Sequence, residues 1–246
     1  MYNDDILTKI DVNTHSSICI HGESTVYIDP LDITGEPHDA DLILITHPHF
    51  DHFSPKDIRK ILKEETVIAV PDEMADLCGR RTGREPVRLQ PAQSVTLCGL
   101  RIETVPAYNL RKPSHKQSKG WLGYVLTFDE TRVYITGDTD NTPECRAVSC
   151  DVLMLPIGGT FTVNAQQAAE LTDQISPRVV IPIHYGAMLG GQNAAADFQA
   201  KVSDGIETVV LSSVYSNLMI RQYARVLILA LLCGIAGYCI GNFIGF

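Results

Sequence analysis

Leu42-Ile43-Leu44-Ile45-Thr46-His47-Pro48-His49-Phe50-Asp51-His52 is the stretch that decides how this chain is read. Apolar or β-branched residues fill 42–46 and run straight into three histidines and an aspartate. No helical stripe passes through 42–46, so the run reads as a buried strand. The polar side chains follow where the backbone leaves the sheet. His47 and His49 stand two apart and point the same way on extended backbone. Asp51 and His52 are neighbours and face a second position close by. Imidazole and carboxylate together suit zinc or another first-row divalent ion. The chain has only eight histidines and three of them fall here, which weighs against chance clustering in a polar loop.

Other strand ends carry the same residue types. The run 132–136 leads into Gly137-Asp138-Thr139-Asp140, and 178–183 leads into His184-Tyr185-Gly186. A glycine before Asp138 lets the backbone approach a site closely. Upstream, 17–20 and 25–28 form two β-type runs around the turn at 21–24, ending in Asp29-Pro30. Downstream, Ser54-Pro55 opens a helix with Ile58, Ile61 and Leu62 on its apolar face. Asp72 to Cys78 reads as a short helix ended by Gly79. Asn164 with Gln167 forms a capping box for a helix over Ala165 to Ile175. The Gly158-Gly159-Thr160 turn before it is a candidate anion cradle. Asp140 reads as a loop brace, and His21 and His38 as solvated.

His-x-His-x-Asp-His after a buried strand resembles the signature of the metallo-β-lactamase superfamily. The resemblance covers residues 14–211. Within the superfamily the chain is similar to small stand-alone metal-dependent hydrolases related to the ascorbate-6-phosphate lactonases. Pro106-Ala107-Tyr108-Asn109 and the later Gly120-Trp121-Leu122-Gly123-Tyr124 carry that likeness. The resemblance implies an α+β fold, a four-layer αβ/βα sandwich. It implies two divalent ions, Zn2+ or Mn2+, with Asp138 bridging and His184 as the last ligand. His47 and His49 serve one ion, while Asp51, His52 and His184 serve the other. Most members place a further histidine where Tyr108 stands, and this chain has none there. His115 is the nearby imidazole nominated instead; Asn109 or water is the alternative. His15, in the His15-Ser16 pair, either lies near the metals or is a hydrogen-bonded histidine at a strand start. Asp29 is expected to orient the histidine loop.

The activity implied is metal-dependent hydrolysis by a metal-activated water on a small ester, lactone or phosphodiester, with Asp51 steering or accepting the proton. The alternatives are a metal-binding module without turnover and a redox member, the latter expected to carry an attached flavin domain. Four Lys/Arg in 111–119 make a basic spot beside His115, which favours an anionic small-molecule substrate. Net charge is −9 with no basic run, so a nucleic-acid partner is not expected. Seven scattered cysteines without a Cys-x-x-Cys read as reduced thiols. The start of the chain lacks a basic-then-apolar leader.

The expected organisation is a hydrolase domain over 1–213, a linker over 214–225 and a hydrophobic C-terminal helix over 226–246. The last segment has no charged residue and follows Arg221 and Arg225. As a helix it would rise about 30 Å, the thickness of a bilayer core. The expectation is a single-pass membrane anchor with the metal site in the cytoplasm. The alternative is a cytoplasmic protein with that helix docked on the domain.

Overall fold

The computed structural model describes residues 5–186, 190–191 and 193–211. Two sheets carry the fold. The first has six strands in sequential order: β1 (Ile10–Thr14), β2 (Ser17–His21), β3 (Thr25–Ile28), β4 (Leu42–Leu44), β5 (Val67–Pro71) and β6 (Val87–Leu89). The second has seven, running from β7 (Ser94–Leu97) through β8 (Leu100–Pro106), β9 (Leu122–Phe128), β10 (Thr131–Ile135), β11 (Val152–Pro156) and β12 (Val179–Ile183) to β13 (Glu207–Thr208). β3 to β6 are parallel neighbours, as are β10 to β13. Parallel strands buried on both faces read as continuous apolar runs, which is why 42–45 shows no alternation.

Side-chain alternation then builds the layers. Leu42 and Leu44 point into a core shared with Ile102, Leu122, Tyr124 and Met154 of the second sheet. Ile43 and Ile45 point the other way, onto Ile58 and Ile61 of α2 (Pro55–Ile61) and Cys78 of α3 (Ala75–Thr82). On the second sheet Leu153 and Leu155 face outward onto Ala168 and Leu171 of α5 (Ala165–Ile175) and Phe198 of α6 (Ala194–Gln199). Helices, sheet, sheet and helices make the four layers expected. α1 (Asp5–Thr8) and α4 (Pro143–Arg146) are short additions.

Several local expectations hold. Ser54 caps α2 by accepting the Asp57 N–H, with Pro55 in the first turn. Asn164 and Gln167 form the capping box of α5. Others are corrected. β4 ends at Leu44, because the Thr46 N–H turns away to the Asp29 carboxylate. α3 runs through Gly79 and stops at Gly83, whose φ of 75° supplies the left-handed cap. β1 was not anticipated, although Ile10 and Val12 face the core and Asp11 faces out.

The expected membrane anchor is also corrected. Among the described residues no helix is long and apolar enough to cross a membrane. The longest, α5, has 11 residues, a rise of about 16 Å against a bilayer core of about 30 Å. Membrane attachment is therefore withdrawn as a partner and as a location. The C-terminal hydrophobic helix and its linker, 226–246 and 214–225, lie outside the described residues.

The sheets are pinned to each other at one end. The Leu122 N–H donates to the Thr46 carbonyl at 3.1 Å, and the Tyr124 hydroxyl donates to the Ile45 carbonyl at 2.6 Å. The histidine loop leaves the first sheet at that end.

Candidate metal centre

Thr46 is the hub of the histidine loop. Its hydroxyl donates to Asp29 Oδ2 at 2.6 Å and lies 2.9 Å from His47 Nδ1. Its N–H donates to Asp29 Oδ1 at 2.8 Å. Asp29 Oδ2 also accepts from His52 Nδ1 at 2.7 Å. Both imidazoles therefore hold their Nδ1 hydrogens on these partners and turn Nε2 inward; the partners assign the tautomers. Asp29 is fully buried and braces the loop, as expected.

Two trios form around this hub. His47 Nε2 lies 3.1 Å from His49 Nδ1, and His115 completes the first group. His184 Nε2 lies 3.1 Å from His52 Nε2 and 3.3 Å from Asp51 Oδ2, completing the second. Asp138 sits between them. Its Oδ2 faces His115 Nε2 at 3.4 Å and His47 Nε2 at 3.9 Å. Its Oδ1 faces His52 Nε2 at 3.5 Å and His184 Nε2 at 3.6 Å. The seven side chains named as ligands from sequence thus converge, although His115 sits in a loop and leaves no strand end. Asn109 holds that loop closed: its N–H donates to the His115 carbonyl at 2.7 Å and its Nδ2 to the Phe161 carbonyl at 2.7 Å.

A family profile described as "Beta-lactamase superfamily domain" matches residues 9–184. The chain belongs to this superfamily. A UPF0173 metal-dependent hydrolase of Pyrococcus abyssi is 27% identical over 83% of this chain and 96% of its own length. Another from Methanosphaerula palustris is 30% identical over 81% of this chain and 94% of its own. A crystal structure from Parabacteroides distasonis, assigned as a metal-dependent hydrolase, superposes with a TM-score of 0.69. It is 30% identical and covers 82% of this chain and 93% of that one.

The donor set of this superfamily member fits metal ions on its own geometry. His115 Nε2 and Asp138 Oδ1, both turned into the centre, are buried without a hydrogen-bond partner. Such orphaned atoms are costly unless something satisfies them. Ligands at about 2.0–2.1 Å from a tetrahedral ion lie about 3.3–3.4 Å apart, close to the separations inside both trios.

Burial opposes charge on Asp138, yet His52 and His184 facing it hold its carboxyl well below the usual range. Burial likewise works against a charged His52, but Asp138 and Asp29 push it up to about 9. Burial, helped by His52, holds His47 well below the ordinary imidazole value. In the metal-free protein at neutral pH, His52 therefore carries a proton that an incoming ion must displace. Loading is expected to release a proton and to weaken about tenfold per pH unit as pH falls below that value. Chelator competition between about pH 6 and pH 8 checks this; an affinity independent of pH contradicts it.

His15 lies beside the second trio. Its carbonyl accepts the His184 N–H at 3.1 Å, and the two rings are 5.7 Å apart. It belongs to neither trio. Asp140 braces, as expected, by accepting from the Leu110 N–H and from Lys112 Nζ. The anion cradle is corrected: the Gly159 N–H donates to the Val163 carbonyl and the Thr160 N–H to the Gly158 carbonyl, so neither faces a ligand. The basic spot is half neutralised. Lys112 is held by Asp140 and the Thr162 carbonyl, Lys119 by Glu73, while Arg111 and Lys116 stay exposed. His21 and His38 lie outside the site, on Asp11 and on the Leu62 carbonyl. Trp121, quoted from sequence for the family likeness but not as a site residue, has its indole 5.0 Å from the rings of His47 and His49, tilted to the first and edge-on to the second. Its place after Gly120 gave no signal, because the contact is long-range.

Proposed function

We infer that this protein is a hydrolase of small esters, lactones or phosphodiesters, working with two divalent ions, Zn2+ or Mn2+. His47, His49 and His115 would hold one and Asp51, His52 and His184 the other, with Asp138 between them. The observation that carries this reading is Asp138, one oxygen of which faces each trio. Divalent ions bound there supply activated water at neutral pH and polarise the substrate oxygen under attack. The names of the relatives, all metal-dependent hydrolases, support the reaction class. The likeness of 106–109 to the lactonase-related hydrolases supports an ester-type substrate.

The chain's own groups divide the remaining work. Asp51 is partly exposed, unlike His52 and His184 beside it. Burial works against its charge, but His184 and His52 hold its carboxyl below the ordinary range, so it is ionised and able to accept a proton. Asp29 and Thr46 fix the ring orientations of His47 and His52. Hydrolysis then adds water across the acyl or phosphoryl bond and releases an acid and an alcohol.

His49→Ala and Asp51→Ala are each expected to abolish metal loading at their trio and turnover of a panel of esters, lactones and phosphodiesters. Metal analysis and the panel are read on the same preparations. Full activity in the metal-free double variant would sink the reading. Full metal loading of the unaltered protein with no turnover of any class would favour a metal-binding module instead.

A further inference from the structure

Five large apolar side chains are exposed among the described residues: Phe50, Val87, Leu110, Phe161 and Val210. Three of them sit on the loops that carry or anchor the ligands of the metal centre. Phe50 is 83% exposed and stands between His49 and Asp51, one from each trio. Leu110, 55% exposed, follows Asn109, whose N–H is tied to the His115 carbonyl. Phe161, 51% exposed, offers its carbonyl to Asn109 Nδ2 at 2.7 Å. Single exposed apolar residues need no explanation, but a concentration of them around polar groups marks a ligand site.

The three are also held in place by the backbone that carries them. The Leu110 N–H is on Asp140, the Thr162 carbonyl beside Phe161 accepts from Lys112, and the Val163 N–H donates to the Thr139 carbonyl. The loop over 160–163 and the loop over 109–115 are thereby fastened to each other and to the strand end that carries Asp138. An apolar rim on anchored backbone around a polar floor recognises a molecule with both characters.

We propose that Phe50, Leu110 and Phe161 form the substrate-binding rim, and that the substrate carries an alkyl or aryl group next to the bond cleaved at the metal centre. This rests on the hydrolase reading for the cleaved bond, and the rim itself is tested by binding. Trp121 is the only tryptophan and lies against the first trio, so its emission reports a ligand at the centre. The full-length Zn2+-loaded protein is titrated with acetohydroxamate and with octanohydroxamate, which share a metal-binding head and differ in apolar length. The octanoyl compound is expected to bind at least about tenfold more tightly. Combining Phe50→Ala with Phe161→Ala should shrink that ratio to about threefold or less, at unchanged metal content. Val87→Ala, on an edge strand away from the centre, should leave the ratio as it is. The exposure of both phenylalanines makes misfolding of the variant a poor explanation for such a loss.

4-Nitrophenyl acetate and octanoate are assayed in parallel. A hydroxamate preference without turnover of either ester keeps the rim and removes the hydrolase reading for esters. Turnover with equal affinity for the two hydroxamates, or a ratio that survives in the double variant, overturns the rim and leaves the hydrolase reading standing.

Discussion

Asp138→Asn is expected to lower kcat/KM by about a thousandfold or more and to remove at least one bound ion per chain. The loss should exceed the about 10–100-fold that follows removal of a residue acting only behind a ligand. The reason is geometric. Each oxygen of Asp138 faces a different trio, so one substitution alters both at once. Asparagine keeps the volume but loses the charge and replaces one oxygen with an N–H donor. Asp138 also contributes the first of the acidic influences that keep His52 protonated. The variant should therefore release fewer protons when metal is added at neutral pH. Asp140→Asn is the comparison, because Asp140 is close in sequence but only anchors Leu110 and Lys112. Its activity is expected to stay within about tenfold of the unaltered protein. Metal content by elemental analysis and initial rates on the responsive ester check both variants. Two ions and ordinary rates in Asp138→Asn would remove Asp138 from the centre.

The contrast between these two aspartates shows what the sequence makes legible. Asp138 was readable because it follows a buried strand, as His47 and His184 do on their own strands, with a glycine before it besides. Parallel strands buried on both faces announce themselves as apolar runs, and their ends are where polar residues become conspicuous. His115 had no such position. It was nominated as the nearby imidazole, and the Asn109 bond that folds its loop inward joins atoms no periodicity connects. The Thr46 hub is of the same kind: a threonine at a strand end has no pattern that reports Asp29, 17 positions away. The basic loop was legible only in part, for a related reason. Counting Lys and Arg gives their charge but not the partners on Asp140 and Glu73 that neutralise two of them. The Gly-Gly turn failed because glycine permits many loop geometries, and here the loop closes on its own carbonyls. β1 was missed although its alternation of Ile10 and Val12 with Asp11 was visible.

Gly137→Ala is expected to cost about 2–5 kcal/mol of stability, combining left-handed strain of about 1–2 kcal/mol with overpacking of about 1–3 kcal/mol. Gly137 has φ of 63°, and a Cβ there would meet the Leu122 carbonyl oxygen at 2.9 Å and Thr46 Cβ at 3.3 Å. Neither neighbour can move freely. Leu122 pairs with Pro106 in the sheet and donates its N–H to Thr46, while Thr46 carries the bonds to Asp29 and the contact with His47. The unfolding midpoint should fall by about 4–20 °C, at about 2–4 °C per kcal/mol for a domain of this size. Displacing Thr46 also loosens the brace behind His47 and His52, so metal affinity should fall about tenfold. Gly83→Ala separates the two contributions. Gly83 has φ of 75° but nothing within 4 Å of an added Cβ, so it should show only the strain and no change in metal affinity. Thermal denaturation of the metal-free proteins and chelator competition read the pair. If Gly137→Ala is no less stable than Gly83→Ala and holds metal as tightly as the unaltered protein, the coupling of this glycine to the site through Thr46 is wrong.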